Sequence, residues 1–207
     1  MLGGLTVKGF IQELASDSPA PGGGSVAALC GSLGAALSAM VAQLTVGREK
    51  YKDSQVIMEK TLNEANDLKT RFLDLMEKDT ESFNLFMQAR KLPKDTDHEK
   101  AKRAAAIEAA TKQTTMIPLE TVEACVALAH MALAATLHGN PNAKSDGGVA
   151  GLLAVAAAKG AAYNVRINLP GVKDQAFVED CKKRIEKACA EVVKIGKQIE
   201  ENIDSSL

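Results

Sequence analysis

The 207-residue sequence predicts an all-α fold, an up-and-down bundle of long helices. Two observations support this fold class. No run of alternating β-branched or aromatic residues is long enough for a strand, and helix-forming residues dominate nearly everywhere. Apolar residues also recur at three- and four-residue steps, which is the period of an amphipathic helix. Because no linker, low-complexity tract or repeat divides the chain, residues 1–207 are expected to form one domain.

The overall composition narrows the classes of function. Lysine and arginine number 25 against 26 acidic residues, whereas nucleic-acid and anionic-membrane binders usually carry a clear basic excess. The four cysteines are widely spaced, and no basic segment followed by an apolar run marks a secretory signal at the N-terminus. We therefore expect reduced thiols, a cytoplasmic location, and neither nucleic acid nor membrane as a partner.

The first third of the chain combines a glycine-rich loop with an uncharged helix. A short helix is expected over Thr6–Ala15, followed by the loop Pro19–Ser25, in which prolines and glycines interrupt helical structure. Ser25 is expected to cap a helix of small residues that runs to Gly47. The loop is either a tight turn or a place where the backbone approaches a ligand closely.

Residues 18–47 contain no charge, so a membrane span is the alternative to a buried helix. Alanine, glycine and serine dominate this stretch, and its hydropathy is weaker than that of most lipid-facing helices. Small residues instead allow helices to approach closely, within one chain or between two chains. The sequence therefore favours a helix surrounded by other helices.

Three further helices are expected before the last one. A long amphipathic helix is expected over about 53–91. Thr96 and Glu99 form a capping box that begins the next helix. Pro118 interrupts or kinks that helix, and Gly139 ends it. Ser145 and Asp146 are positioned to cap a second small-residue helix, which ends near Asn168.

A final amphipathic helix follows the turn at 169–171, and its apolar face is formed by Phe177, Cys181, Ile185, Ala188, Val192, Ile195, Ile199 and Ile203. Two helices of this set lack a polar face. One chain cannot easily cover so much apolar surface, so we expect a homodimer or a larger homo-oligomer.

Asp79 is the one acid that interrupts an apolar stripe. In the long helix, Ala65, Leu68, Phe72, Leu75, Phe83 and Phe86 follow three- and four-residue steps, and Asp79 occupies the missing position. Such a residue either fixes helix register or bonds a neighbouring helix, or it is a functional carboxylate. Burial would raise its pKa towards the range that is useful for proton transfer near neutral pH.

Other polar residues are weaker candidates. Asn164 and Asn168 lie four apart and share a helix face, where they either cap neighbouring helix ends or bind a ligand. Arg48 and Lys50 are either ordinary helix C-terminal charges or ligand contacts. No histidine or cysteine cluster has zinc spacing, and the glycine-rich loop lacks the lysine of a phosphate loop, so neither a metal nor a nucleotide is expected.

Taken together, these residues resemble the cyclodeaminase/cyclohydrolase family of folate enzymes. The resemblance covers essentially the whole chain, in the right order. The matching motifs are Pro21-Gly22-Gly23-Gly24-Ser25-Val26-Ala27-Ala28, Gly34-Ala35-Ala36-Leu37, Met40-Val41, Gly47-Arg48, Asp79 with Phe83, Gly139-Asn140, Ser145-Asp146 and Asn164-Val165-x-Ile167-Asn168. Where the family usually has consecutive basic residues after the first long helix, this chain has Arg48-Glu49-Lys50.

The resemblance implies a dimeric helical bundle acting in one-carbon metabolism. It implies a methenyltetrahydrofolate cyclohydrolase or a formiminotetrahydrofolate cyclodeaminase, with Asp79 as general acid and base and no cofactor or metal beyond the tetrahydrofolate substrate, with or without a polyglutamate tail. The implied substrate-binding residues are Pro21, Gly22, Gly23, Gly24, Ser25, Arg48, Lys50, Asn140, Ser145, Asp146, Asn164 and Asn168. A non-catalytic helical oligomer, in which the loop is only a turn, is the alternative from a different class.

Overall fold

The computed structural model describes residues 1–205, and within them the fold is entirely helical. Six α-helices are joined by short connections that include 3₁₀ turns at 2–4, 49–54, 141–143 and 169–171. The helices are α1 (Val7–Leu14), α2 (Gly23–Gln43), α3 (Gln55–Arg90), α4 (Asp97–His138), α5 (Lys144–Asn168) and α6 (Gln175–Asp204). The all-α prediction is confirmed.

Helices α2 to α5 form the centre of an up-and-down bundle. Each of them packs against the next in sequence, and α2 also packs against α5, while α6 covers α4 and α5. The centre is filled by side chains such as Phe72, Leu128 and Ile199, all of which are fully buried. Glycines allow the closest approaches: a Cβ on Gly31 would overlap the Phe72 ring. The small-residue helices therefore act as the predicted close-packing elements.

Most predicted helix boundaries are confirmed within two residues, but the predicted end of α2 and two predicted caps are wrong. Helix α2 ends at Gln43 and not at Gly47, because residues 44–47 form a turn in which Gly47 has a φ of 76°. Helix α2 begins at Gly23 with Gly22 as its N-cap, because the hydroxyl of Ser25 bonds a distant residue rather than its own helix end. Helix α5 begins at Lys144, so Ser145 and Asp146 lie in its first turn and not before it. The capping box at Thr96 is confirmed. Helix α4 continues through Pro118 without interruption.

Up-and-down connections assign each loop to one of two ends. The glycine-rich loop and the segments 91–96 and 169–174 lie at one end of the bundle, which we call the glycine end. Residues 44–54 and 139–143 lie at the other end, which we call the asparagine end after Asn140. Helices α3 and α4 have 36 and 42 residues against 21 in α2, so they extend beyond α2 at the glycine end.

Three helical segments are long and apolar enough to cross a membrane on length and composition: Gly23–Gln43, Asp97–His138 and Pro141–Gly171. The most apolar 18-residue windows of these segments have mean hydropathies of 1.8, 1.4 and 1.3. In the bundle, 61%, 56% and 44% of these apolar windows are buried. Much of the apolar surface that raises the hydropathy thus packs against other helices of the same chain.

Candidate functional site

A cleft of about 490 Å³ opens at the glycine end of the bundle. The glycine-rich loop and the start of α2 form its floor, and the overhanging parts of α3 and α4, with the end of α5, form its walls. Its lining residues are Pro19, Ala20, Gly22, Gly23, Gly24, Asp79, Ser82, Phe83, Phe86, Ile107, Thr111, Thr114, Asn164, Ile167, Asn168 and Gly171. Among these residues Asp79 is the one that carries a charge, so the lining favours a cationic group.

Asp79 projects from α3 towards the N-terminus of α2. Its Oδ2 accepts a hydrogen bond of 2.8 Å from Oγ of Ser25, a residue that is completely buried. The same hydroxyl lies 3.2 Å from Oγ1 of Thr80. Since the N-terminus of a helix carries unpaired N–H groups and partial positive charge, this position also stabilises a carboxylate.

Two opposing effects set the pKa of Asp79. Burial raises the pKa of this carboxyl above its ordinary value, and this is the larger effect. Hydrogen bonds from the Ser25 side chain and backbone N–H lower the pKa and oppose the rise. The carboxyl is therefore shifted towards the range in which it both accepts and returns a proton, as the sequence predicted.

The absence of a side chain at Gly24 makes room for this carboxylate. A Cβ built on Gly24 would overlap both Asp79 oxygens, whereas a Cβ on Gly22 would meet no atom within 4 Å. A Cβ on Gly23 would lie 3.3 Å from Nδ2 of Asn164, which is a tight contact. Of the three consecutive glycines, Gly24 is thus the one that the Asp79 geometry requires.

Aromatic rings form one wall of the cleft. Phe83 and Phe86 follow Asp79 on the same face of α3, with ring centroids 6.3 Å apart and planes inclined at 44°. The sequence placed both rings in the core stripe of α3. Instead, the stripe leaves the core after Leu75 and continues along the cleft, because α2 begins only at Gly23 and does not extend along this part of α3.

The amides of Asn164 and Asn168 form the opposite wall. Nδ2 of Asn164 donates to the Gly160 carbonyl at 2.9 Å, and Nδ2 of Asn168 donates to the Thr114 carbonyl at 2.9 Å. These bonds fix both amide planes. Within residues 1–205 neither amide oxygen has a hydrogen-bond donor, so both oxygens are able to accept a bond from a ligand in the cleft.

The predicted site residues divide between the two ends of the bundle. Gly22, Gly23, Gly24, Asn164 and Asn168 line the cleft with Asp79. Pro21 is buried behind the loop, and Ser25 contacts the carboxylate from behind.

The remaining predicted residues lie at the asparagine end, and they are Arg48, Lys50, Asn140, Ser145 and Asp146. Helix α2 alone separates the two ends by about 30 Å at 1.5 Å per residue. Asn140 is held there by hydrogen bonds of 2.8 Å each, from its own N–H to Oγ1 of Thr45 and from the Tyr51 hydroxyl to its Oδ1. Substrate binding by these five residues stays a prediction, and within one chain they do not share the Asp79 cleft.

Sequence reasoning did not find the α4 side of the cleft. Ile107, Thr111 and Thr114 line it from one face of α4. Their three- and four-residue spacing was visible, but threonine on a helix is an ordinary core residue when its hydroxyl bonds the preceding turn, as that of Thr111 does here. No group of three or more potential metal ligands occurs among the described residues.

Comparison with known proteins identifies the family. The family model described as formiminotransferase-cyclodeaminase matches residues 6–187. The chain belongs to this family. A methenyltetrahydrofolate cyclohydrolase of Methylorubrum extorquens is 39% identical over 207 residues, which is 100% of both chains. The predicted family membership is therefore confirmed.

Two other members match over different shares of their length. A pig (Sus scrofa) formimidoyltransferase-cyclodeaminase is 35% identical over 85% of this chain, but the chain spans only 32% of that relative. The crystal structure of a formiminotetrahydrofolate cyclodeaminase from Thermotoga maritima superposes with a TM-score of 0.89 at 26% identity and covers 99% of this chain and 98% of that chain. Both named activities of the family thus occur in proteins with this fold.

Proposed function

We propose that this protein is a methenyltetrahydrofolate cyclohydrolase, which interconverts 5,10-methenyltetrahydrofolate and 10-formyltetrahydrofolate in folate one-carbon metabolism. The observation that carries the proposal is the Asp79 carboxylate, which is partly desolvated and hydrogen-bonded in a cleft with no other lining charge. The methenyl substrate is a cation centred on the carbon between N5 and N10. The full-length relative with 39% identity supports this choice of reaction.

The chemistry needs one group that moves protons about a single carbon. A water oxygen bonds the cationic carbon while Asp79 takes one proton of that water. The bond between carbon and N5 then breaks, Asp79 returns a proton to N5, and the remaining water proton is released as the formyl C=O forms on N10. The carboxylate also stabilises the cation before attack, in a cleft that two aromatic rings line on one side.

The neighbouring residues have distinct tasks in this proposal. Ser25 holds one oxygen of Asp79 and leaves the other towards the cleft. The amide oxygens of Asn164 and Asn168 accept hydrogen bonds from N–H groups of the pterin, and the Phe83 and Phe86 rings contact the flat aromatic part of the folate.

A cyclodeaminase is the second candidate, because the superposed Thermotoga maritima protein carries that activity in its name. In that reaction N10 attacks the formimino carbon on N5, ammonia leaves, and the same methenyl bridge forms. Asp79 would accept the N10 proton and protonate the departing nitrogen.

The methenyl chromophore distinguishes the two reactions. With purified protein, loss of its absorbance on addition of methenyltetrahydrofolate supports the cyclohydrolase. Appearance of its absorbance from the formimino substrate, with equimolar ammonia, supports the cyclodeaminase. Neither signal above the uncatalysed rate, together with no saturable folate binding by calorimetry, would instead support the non-catalytic oligomer.

The proposal includes a homodimer built on the outer face of α2 and α5. Leu33 and Met40 of α2 and Val149 and Leu152 of α5 are 39–56% exposed, although all four are large apolar residues. These residues form one apolar row on each helix, and the two rows lie on either side of the contact between Gly34 of α2 and Leu153 of α5. Ile167 continues the α5 row and also lines the cleft, so a second copy seated here would reach the cleft mouth.

In such a dimer, the asparagine-end residues of one copy would approach a folate bound in the cleft of the other copy. Light scattering should give twice the 21.8 kDa of one chain. Leu152→Glu should give monomers, while Val56→Glu, at an equally apolar site that is 85% exposed on α3, should not. A monomeric wild-type protein would rule out the dimer.

The cytoplasmic location and the absence of a membrane partner are also part of the proposal. Soluble expression without detergent tests the absence of a membrane partner.

A further inference from the structure

The cleft wall on α3 extends one helical turn past its aromatic rings to an arginine. Asp79, Phe83, Phe86 and Arg90 follow steps of four, three and four residues, so they share one face of α3. The Arg90 guanidinium carbon lies 5.9 Å from the centroid of the Phe86 ring, which itself lines the cleft. Arg90 is thus placed at the outer edge of this wall, directly beyond the aromatic ring.

The cleft wall on α4 ends in the same way. Thr111 and Ile107 line the cleft, and Arg103 lies one further turn towards the start of α4 on the same face. Because α3 and α4 are antiparallel, the end of one meets the start of the other. Arg103 donates to the Arg90 backbone carbonyl from Nε at 3.2 Å and from Nη2 at 3.0 Å. The two arginines therefore meet at a single edge of the cleft.

The charge around these arginines is not neutralised. Residues 90–103 contain six basic residues (two Arg, four Lys) and three acidic ones, a balance of +3 in a chain whose net charge is −1. Within residues 1–205 no carboxylate oxygen lies within 4.0 Å of either guanidinium, and the ion pairs of this part of the chain all join other residues. An anion at this edge would thus meet two guanidinium groups whose charge no carboxylate balances at close range.

We infer that Arg90 and Arg103 bind the carboxylates of the glutamyl tail of the folate substrate. The inference rests on the proposed function, since it takes the reacting carbon to lie at Asp79. Eleven residues of helix separate Asp79 from Arg90, about 16 Å along α3. A p-aminobenzoyl group and a glutamyl residue, with the reach of an arginine side chain, span a comparable length. The site is thus divided into a reaction end with one carboxylate and a tail end with two arginines.

This assignment differs from the one that the sequence suggested. Arg48 and Lys50 lie at the asparagine end, about 30 Å from the cleft along α2. Arg90 and Arg103 could not be found by motif, because they are separated by 13 residues and a loop. Their shared position follows only from the antiparallel packing of α3 and α4.

The test measures coupling between the arginines and the tail carboxylates. The KM for methenyltetrahydrofolate monoglutamate is compared with that for an analogue whose two tail carboxylates are primary amides. Arg90→Gln with Arg103→Gln should raise the KM for the natural tail about tenfold, because charge-assisted hydrogen bonds are lost. The KM for the diamide should be the same in both proteins, and kcat should not change for either substrate.

Controls separate a tail contact from a structural role. Arg90→Gln alone leaves the Arg90 backbone carbonyl, and hence the bonds from Arg103, in place, so it should fold like the wild type and show part of the tail-specific effect. Lys102→Gln removes an equal charge from an exposed position next to Arg103 and should leave both KM values unchanged.

An equal rise in KM for both tails, or no rise for either, would overturn the inference. The inference would also be overturned if the KM for the natural tail alone rose in the double variant Arg48→Gln with Lys50→Gln and not in the Arg90 and Arg103 variants. The same comparison is made by calorimetry with 5-formyltetrahydrofolate and its diamide. Because that readout needs no turnover, failure of the proposed reaction and failure of the tail assignment remain distinguishable.

Discussion

The two ends of α2 differ in how their polar groups are used. At the asparagine end, Thr45 and Tyr51 each bond Asn140, and Gln55 accepts from the Gly47 N–H at 2.7 Å and donates to the Tyr51 carbonyl at 2.8 Å. At the glycine end, Ser25 bonds one oxygen of Asp79, and the amide oxygens of Asn164 and Asn168, which both line the cleft, have no donor within residues 1–205. Both ends are rich in polar residues, but the groups named at the asparagine end are bonded within the protein, whereas those at the glycine end line a cleft and retain free acceptor oxygens among the described residues.

This difference shows that polar composition alone does not identify a site. The asparagine end has the character of a structural network, because mutual hydrogen bonds lock the loops that connect α2 to α3 and α4 to α5. The glycine end holds a partly buried carboxylate whose pKa is raised by desolvation, an arrangement that costs stability and is typical of catalytic sites. The following variants test that contrast.

Among the variants that keep the Asp79 side chain, the largest effect is expected from Gly24→Ala, because its Cβ would overlap the Asp79 carboxylate. The carboxylate has to rotate away, and a displacement of about 1 Å in a catalytic group lowers turnover on the order of 100-fold. Stability should change little, since the displaced group is the end of a side chain. Gly22→Ala, where the added methyl meets no atom within 4 Å, should lose far less activity. Equal kcat values for the two variants would contradict this view of Asp79.

A smaller effect is expected from Ser25→Ala, and it appears in the pH profile. In the proposed mechanism the ionised Asp79 is the base, so activity falls as the pH drops through its pKa. Since the hydrogen bonds of Ser25 lower that pKa, removing the hydroxyl should raise it, and the acidic limb of kcat should move to higher pH.

Thr80→Val is the matched control for Ser25→Ala. It removes the 3.2 Å contact with the serine hydroxyl but keeps the bond between Ser25 and Asp79. Its acidic limb should coincide with that of the wild type. A limb that moves to lower pH in Ser25→Ala would show that the serine acts on some other group.

The smallest effect on activity is expected from Tyr51→Phe at the asparagine end. Loss of its 2.8 Å bond to Asn140 should cost about 1 kcal/mol of stability, measured by thermal unfolding. Turnover and KM should stay at wild-type values if this end is purely structural. A raised KM in the dimeric protein would instead support the predicted substrate contact of Asn140, supplied to the cleft of a second chain.

The sequence sufficed for what depends on local pattern. The three- and four-residue steps of α3 singled out Asp79 as an acid within an apolar stripe, and the glycine-rich loop, expected either as a turn or as a ligand contact, lines the same cleft as Asp79. The caps at Ser25 and Ser145 were wrong for a physical reason. A helix begins where backbone contacts allow it, and the Ser25 hydroxyl bonds a carboxylate 54 residues away, which no local pattern encodes.

The grouping of loops was the other limit. The resemblance placed the glycine-rich loop and the Gly139–Ser145 loop in one site, but three helices separate them in an up-and-down bundle. An odd number of helices puts two loops at opposite ends. Helix lengths explain the remaining surprise: α3 and α4 extend past α2, so their faces at Phe86, Arg90 and Arg103 continue the cleft rather than the core.

The measurement that tests the central claim most directly is Asp79→Asn, assayed for turnover and for stability on the same preparation. Turnover of methenyltetrahydrofolate and of formiminotetrahydrofolate should fall about 10²–10⁴-fold, the usual contribution of a general acid or base. Because the pKa of Asp79 is higher in the folded than in the unfolded protein, its ionisation at neutral pH lowers the free energy of unfolding. Below the unfolded-state pKa the carboxyl is protonated in both states, and this loss of stability disappears. The variant should therefore be more stable than the wild type at pH 7, with a gain that disappears in acid. Near-normal turnover in this variant would contradict the account.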